Sequence, residues 1–183
     1  MVLIVVLSVL ALMFLAGIGV LRVTGTGNVV AANFSFQQQA TLASDRAITD
    51  ALNTLAGIVP SGGGNNPVAN RYVNVEQAVD AKGIPTTINW ANVTCVDETG
   101  VVVTDCAADS GKFRVQYFIE RRCSSNPDFT SLPDIRAKCE YEPSSSAAGA
   151  STIALRYRVL IRVRGPRGTD GYYEAMVSGP AST

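Results

Sequence analysis

The first 21 residues, MVLIVVLSVLALMFLAGIGVL, carry no charge, no proline and a single hydroxyl, Ser8. At a rise of ~1.5 Å per residue, about 20 such residues match a ~30 Å hydrocarbon core. The pattern predicts a membrane-length helix in front of an otherwise polar chain. A secretory signal would place basic residues before its apolar run, but here the first charge is Arg22. The expectation is that a leader has been removed ahead of Met1 and that the helix is retained, in lipid or against copies of itself.

The helical pattern continues. Residues 28–57 are rich in Ala, Gln and Leu, with Asp45, Arg46 and Asp50 on a polar side. Ile48, Leu52 and Leu55 recur at i, i+4 and i+7, the apolar stripe of a helix packed on a domain. Gly57, followed by Pro60 and three glycines at 62–64, reads as the helix stop. Between the two helical halves lie Gly17, Gly19, Gly25 and Gly27. Each glycine costs a helix about 1 kcal/mol relative to Ala, so the cluster marks either a segment that unwinds or one made for close helix–helix approach.

Residues 58–87 read as loop, with a short amphipathic turn near 76–81. The period then changes to two. Segments 93–96 and 101–104 flank the turn Asp97-Glu98-Thr99-Gly100 as a hairpin. Phe113, Val115, Tyr117 and Ile119 alternate with mostly polar neighbours. So do Ile153, Leu155, Tyr157, Val159, Ile161 and Val163, and a turn at 165–168 leads into a strand at 172–177. These strands suit an antiparallel sheet with one buried face. The predicted class is α+β, a long N-terminal helix packed on an antiparallel sheet. It divides into an apolar helix (1–27), an amphipathic half (28–57) and a β-rich domain (58–183).

Composition narrows the chemistry. Fifteen basic and fifteen acidic residues cancel, and there is no histidine, which excludes Ser–His–Asp and Cys–His centres. No cofactor is implied. Cys95, Cys106, Cys123 and Cys139 are even in number and include no C-x-x-C. Behind a membrane helix they read as two disulfides in an oxidising compartment. Three pairings exist, and Cys95–Cys106 with Cys123–Cys139 is favoured because it closes the shortest loops. The competing four-thiolate zinc site lacks the paired knuckles such sites use.

These residues together resemble type IV pilins, and more closely the PilX-like minor pilins. Met1-Val-Leu-Ile-Val looks like a mature start. The stretch from Thr24-Gly25-Thr26-Gly27-Asn28 to Phe34 is similar too. So are a strand ending in Cys123, a second cysteine at 139, the basic strand 157–163, Gly165-Pro166-Arg167 and an aromatic strand at 172–177. The resemblance is thin over 58–110, where Cys95 and Cys106 look additional. It implies a methylated N-terminus and a filament built through the N-terminal helix, with Met1, Val2, Leu3, Ile4, Val5, Leu10 and Phe14 in the assembly surface. The partners implied are copies of this chain or other pilins, after residence in the inner membrane. Major pilins carry a glutamate where this chain has Val5, meeting the amine of a neighbouring subunit. Subunits without it sit at a tip or are minor components, so major against minor stays open.

Other candidates are weaker. Arg156, Arg158, Arg162 and Arg164 share one strand face and with Arg167 form a candidate surface for DNA or another polyanion. The bland alternative is a solvated face with ion pairs to acids such as Glu120 and Glu174. Asp105, Asp109 and Ser110 are oxygen donors for calcium without an EF-hand pattern. Asp97 and Glu98 are turn residues rather than a catalytic pair. Asn33 and Asn92 begin sequons, Asn33 within a helix, and Trp90 reads as core. The expectation is therefore a non-enzymatic extracellular filament subunit. The alternative is a membrane-anchored periplasmic binding domain, or a tip adhesin that does not polymerise alone.

Overall fold

The computed structural model describes residues 2–62, 64–97, 99–104, 106, 112–142 and 153–180, with side chains described except at 19–26, 60–62 and 167. It divides into two compact units, residues 1–39 and 40–183. Helix α1, Val2–Gly62, contributes to both.

In the first unit the described apolar side chains over 2–18 find no cover. Every described side chain over 2–18 is exposed. The single hydroxyl there, Ser8, donates to Ile4 O at 2.8 Å, which satisfies it within the helix.

In the second unit α1 packs on a sheet. Its buried stripe is Ala40, Ser44, Ala47, Ala51, Leu55 and Val59, spaced three or four residues apart as one helix face requires. This corrects the expected stripe: Ile48 is only half-buried and Leu52 is exposed. Small residues, rather than the large aliphatics, let the backbone approach the sheet. Val59, fully buried, also carries the helix beyond Gly57 and through Pro60 to Gly62. Packing there outweighs the two local stop signals.

Among the described residues there are seven strands, β1 (Tyr72–Val73), β2 (Cys95–Asp97), β3 (Val102–Val103), β4 (Arg114–Arg121), β5 (Tyr141–Glu142), β6 (Ala154–Arg164) and β7 (Asp170–Pro180). They form one sheet in the order β3-β2-β4-β6-β5, with β1 added to β4 and β7 to β6. All pairs are antiparallel except β1 with β4. The expected hairpin is present, its turn closed by Asp97, which accepts from Thr99 N at 2.8 Å, Thr99 Oγ1 at 2.6 Å and Val101 N at 3.0 Å. Those bonds, the Thr99 hydroxyl first, hold the Asp97 carboxyl below the usual carboxylate range. No helical turn occurs at 76–81. Asp80 instead accepts from Lys82 N and Ile84 N, at 2.8 and 2.9 Å, and sets a loop.

The sheet is covered on both faces at its centre, against the expectation of one. Tyr117, Ile119, Tyr157, Val159 and Ile161 are buried on the helix side. On the other side Gln116, Phe118, Glu120, Arg158 and Leu160 are buried too. The segment leading to β2 supplies contacts there: Gln116 Nε2 donates to Trp90 O and Val93 O at 2.6 and 2.8 Å, and Glu120 accepts from Gln77 N at 3.2 Å.

Both disulfides join sequence neighbours, Cys95–Cys106 and Cys123–Cys139. The second closes a loop holding a short helix, α2 (Leu132–Lys138), pinned by the buried Ile135. Next to it lies Arg121, fully buried and, among the described residues, without an ion-pair partner. Its guanidinium donates to Asn74 O, Gly64 O, Asn65 Oδ1 and Asn126 Oδ1 at 2.8 to 3.0 Å. It lies over Phe129, 5.4 Å from the ring centroid. This clasp ties the exit of α1 to β4 and to the cysteine loop.

Candidate functional site

The assembly candidates Val2, Leu3, Ile4, Val5, Leu10 and Phe14 all lie in α1 and are exposed; Met1 is outside the described residues. Exposure of the large apolar side chains over 2–18 runs from 38 % at Ile18 to 77 % at Val2, on every side of the helix. Among the described residues no helix is long and apolar enough to cross a membrane. The apolar run with described side chains, 2–18, is about 25 Å long at 1.5 Å per residue, short of a ~30 Å core. The sequence stays apolar to Leu21, where side chains are not described.

The glycine cluster does not break the helix, which is helical throughout 17–27. A Cβ placed on Gly17 or Gly27 would meet nothing within 4 Å. Nothing among the described residues therefore demands glycine at these two positions.

The arginine face is not a row of free cations. Arg158 is buried, with Nη2 at 2.8 Å from Glu120 Oε1 and donating to Oε2 at 3.0 Å. The Oε1 approach is an ion-pair distance without hydrogen-bond alignment, so the bond to Oε2 is the directional one. Arg162 Nη2 meets Asp170 at 2.7 Å, Arg164 Nε meets the same carboxylate at 3.6 Å, and Arg156 meets Glu142 at 3.9 Å. Glu120, named from the sequence, takes part; Glu174 makes no ion pair among the described residues. The Arg167 side chain lies outside them. Trp90 is half-buried and meets Tyr172 edge-on, centroids 5.9 Å apart.

A cleft of about 90 Å³ opens between α1 and the β2–β3 turn, lined by Ala47, Asp50, Val96, Asp97, Val115 and Tyr117 among others. Its polar wall is a bond the sequence did not suggest. Tyr117 donates to Asp50 Oδ2 at 2.6 Å, and Thr54 Oγ1 lies 2.9 Å from the same phenol oxygen. A space this small holds a few water molecules, not a substrate.

The calcium candidates Asp105, Asp109 and Ser110 lie outside the described residues, as does Glu98. Among the described residues no group of three or more Cys, Asp or Glu side chains gathers to hold a metal. Asn33 is helical, while Asn92 sits on an exposed turn. The chain matches no family model, no curated protein and no solved structure.

Proposed function

We propose that this chain is a structural subunit of a type IV pilus-like extracellular filament, a non-enzymatic protein that assembles through residues 1–21. The observation that carries the reading is the apolar segment 2–18, exposed around its whole circumference. Covering one Val, Leu, Ile or Phe side chain is worth about 1.5–3 kcal/mol, so the segment stands to gain on the order of tens of kcal/mol on leaving water. Lipid offers that cover before assembly, and copies of the same helix, or other pilins, offer it afterwards. The disulfides and the Arg121 clasp suit a domain that must hold its loops on an outer surface.

A second reading has one observation in its favour. Val5 places no carboxylate in the segment to pair with a neighbour's amine, which suits an anchored domain or tip adhesin that does not polymerise alone. Electron microscopy of material sheared from cells, with subunits identified by mass spectrometry, separates the two. Filaments composed of this chain support the proposal. Recovery of the chain only in the membrane fraction overturns it in favour of the anchored domain.

A further inference from the structure

Three arginines meet at one end of the sheet face that looks away from α1. Arg114 on β4 lies directly opposite Arg164 on β6, and Arg162 stands two residues along β6 from Arg164. The β6 pair is visible in the sequence, whereas Arg114 joins it only through the register of the two strands. Directly opposed side chains have Cβ atoms about 4.5–5.5 Å apart, and like charges placed so destabilise a sheet. Arg114 and Arg164 are half-buried, so both stay partly open to solvent.

Among the described residues one carboxylate lies within ion-pair range of this group. Asp170, on β7 opposite Arg164, meets Arg162 Nη2 at 2.7 Å and Arg164 Nε at 3.6 Å. The second distance is too long for a hydrogen bond. Asp97, opposite Arg114, spends Oδ1 on its own turn, and Glu174 is diagonal to Arg162. Neither forms an ion pair with the three arginines among the described residues. Arg114 Nη1 donates a long 3.4 Å bond to Phe113 O. The Nε–H of each arginine is sealed from water and has no acceptor among the described residues, so the roots of these cations repel in surroundings that screen poorly. Arg162 is held in place by the Tyr172 ring, 6.0 Å from its centroid, and by Gln116 Oε1 at 3.5 Å.

We propose that Arg114 and Arg164, with Arg162 beside them, bind a phosphate group, free or as a monoester. Three guanidiniums with one carboxylate in ion-pair range leave an excess of two positive charges, the charge of a phosphate dianion. A carboxylate ligand would leave one cation unmatched. Guanidiniums reaching in from two strands offer forked N–H donors on different sides, which suits a tetrahedral oxyanion. An anion seated between Arg114 and Arg164 turns a repulsive cross-strand pair into a bridged one. The site does not rest on the filament reading.

The test is calorimetric titration of the full-length chain in detergent with inorganic phosphate, at constant ionic strength balanced by chloride. Saturable binding is expected, weakened about tenfold or more by Arg114→Gln and by Arg164→Gln. Arg156→Gln, about 27 Å from Arg164 along β6, is expected to bind as the unaltered chain does. Glycerol 3-phosphate bound as tightly as the ion supports an esterified ligand, and binding of the ion alone supports free phosphate. Thermal unfolding supplies a second readout. Without phosphate, Arg114→Gln is expected to keep or raise the midpoint, because it relieves the opposed charges. With phosphate, it is expected to lose the rise that the unaltered chain shows. Absence of saturable phosphate binding overturns the proposal, and so does equal binding by the Arg114→Gln chain. A lower midpoint of that chain in phosphate-free buffer overturns it too, since the fold would then already satisfy Arg114.

Discussion

The phenol of Tyr117, on β4, donates a 2.6 Å hydrogen bond to the Asp50 carboxylate on α1. Tyr117 is buried, and its hydroxyl is pushed up to about 12 by desolvation first and by Asp50 second. A phenol held neutral in the fold stabilises it fully below the ordinary tyrosine pKa near 10, and that contribution is lost as pH rises through about 12. Thermal unfolding is therefore expected to weaken from pH 10 upward. Tyr117→Phe is expected to cost about 1 kcal/mol at neutral pH and to flatten part of the alkaline slope. An unchanged slope in that variant would show that Tyr117 does not carry it.

Glu120 and Arg158 form a buried pair on the sheet's second covered face. Removing one partner strands the other charge, so Glu120→Ala is expected to lose about 3–5 kcal/mol. Glu120→Met with Arg158→Met is expected to recover most of it. Denaturant unfolding of the three chains checks this, and a double variant no better than the single one speaks against the pair.

The disulfides close loops of 11 and 16 residues in sequence separation. In the chain-entropy model each contributes about 3 kcal/mol. Cys123→Ser with Cys139→Ser is expected to lower the denaturant midpoint accordingly, and peptide mapping of the unaltered chain without reductant should recover both linked pairs. Unaltered stability in that double variant would remove the rigidity argument for the loop around α2.

The backbone is helical through Gly17–Gly27, and among the described residues nothing lies close enough to Gly17 or Gly27 to require a glycine there. In the filament we expect the helix to be interrupted there. Gly17→Ala with Gly27→Ala should raise helix stability by about 1 kcal/mol per site, yet lower filament yield. A filament density map with unbroken helical bonding across 17–27 would contradict the interruption.

Much of this architecture is legible in the sequence because period carries it. The charge-free run, the hairpin around Asp97 and the alternation of β4 and β6 each follow from spacing. What was hidden depends on distant cover. Gln116 and Glu120 look like solvent-facing residues until the segment holding Gln77, Trp90 and Val93 bonds to them, and Arg158 until the buried Glu120 pairs with it. Arg121 occupies an inward position of β4, a signal readable as an arginine where Val115, Tyr117 and Ile119 set an apolar phase. Its acceptors, though, come from residues 64 to 126. Helix α2 is too short for periodicity to declare, and β1 and β5, of two residues each, exist only through their neighbours. The helix stop failed because Gly57 and Pro60 are local signals, while Val59 is held by the core.

The central claim is that residues 1–21 are the assembly surface, and Leu10→Glu tests it most directly. Leu10 is 58 % exposed in α1, and no basic residue precedes Arg22 to pair with a carboxylate there. An unpaired carboxylate in lipid or in a dry helical bundle costs several kcal/mol. The measurement is filament yield from cells carrying Leu10→Glu, alongside the disulfide map and thermal unfolding of the same extracted chain. The account predicts loss of filaments with both disulfides intact and the unfolding transition unmoved. Normal filament yield would contradict it and leave the N-terminal helix as an anchor only.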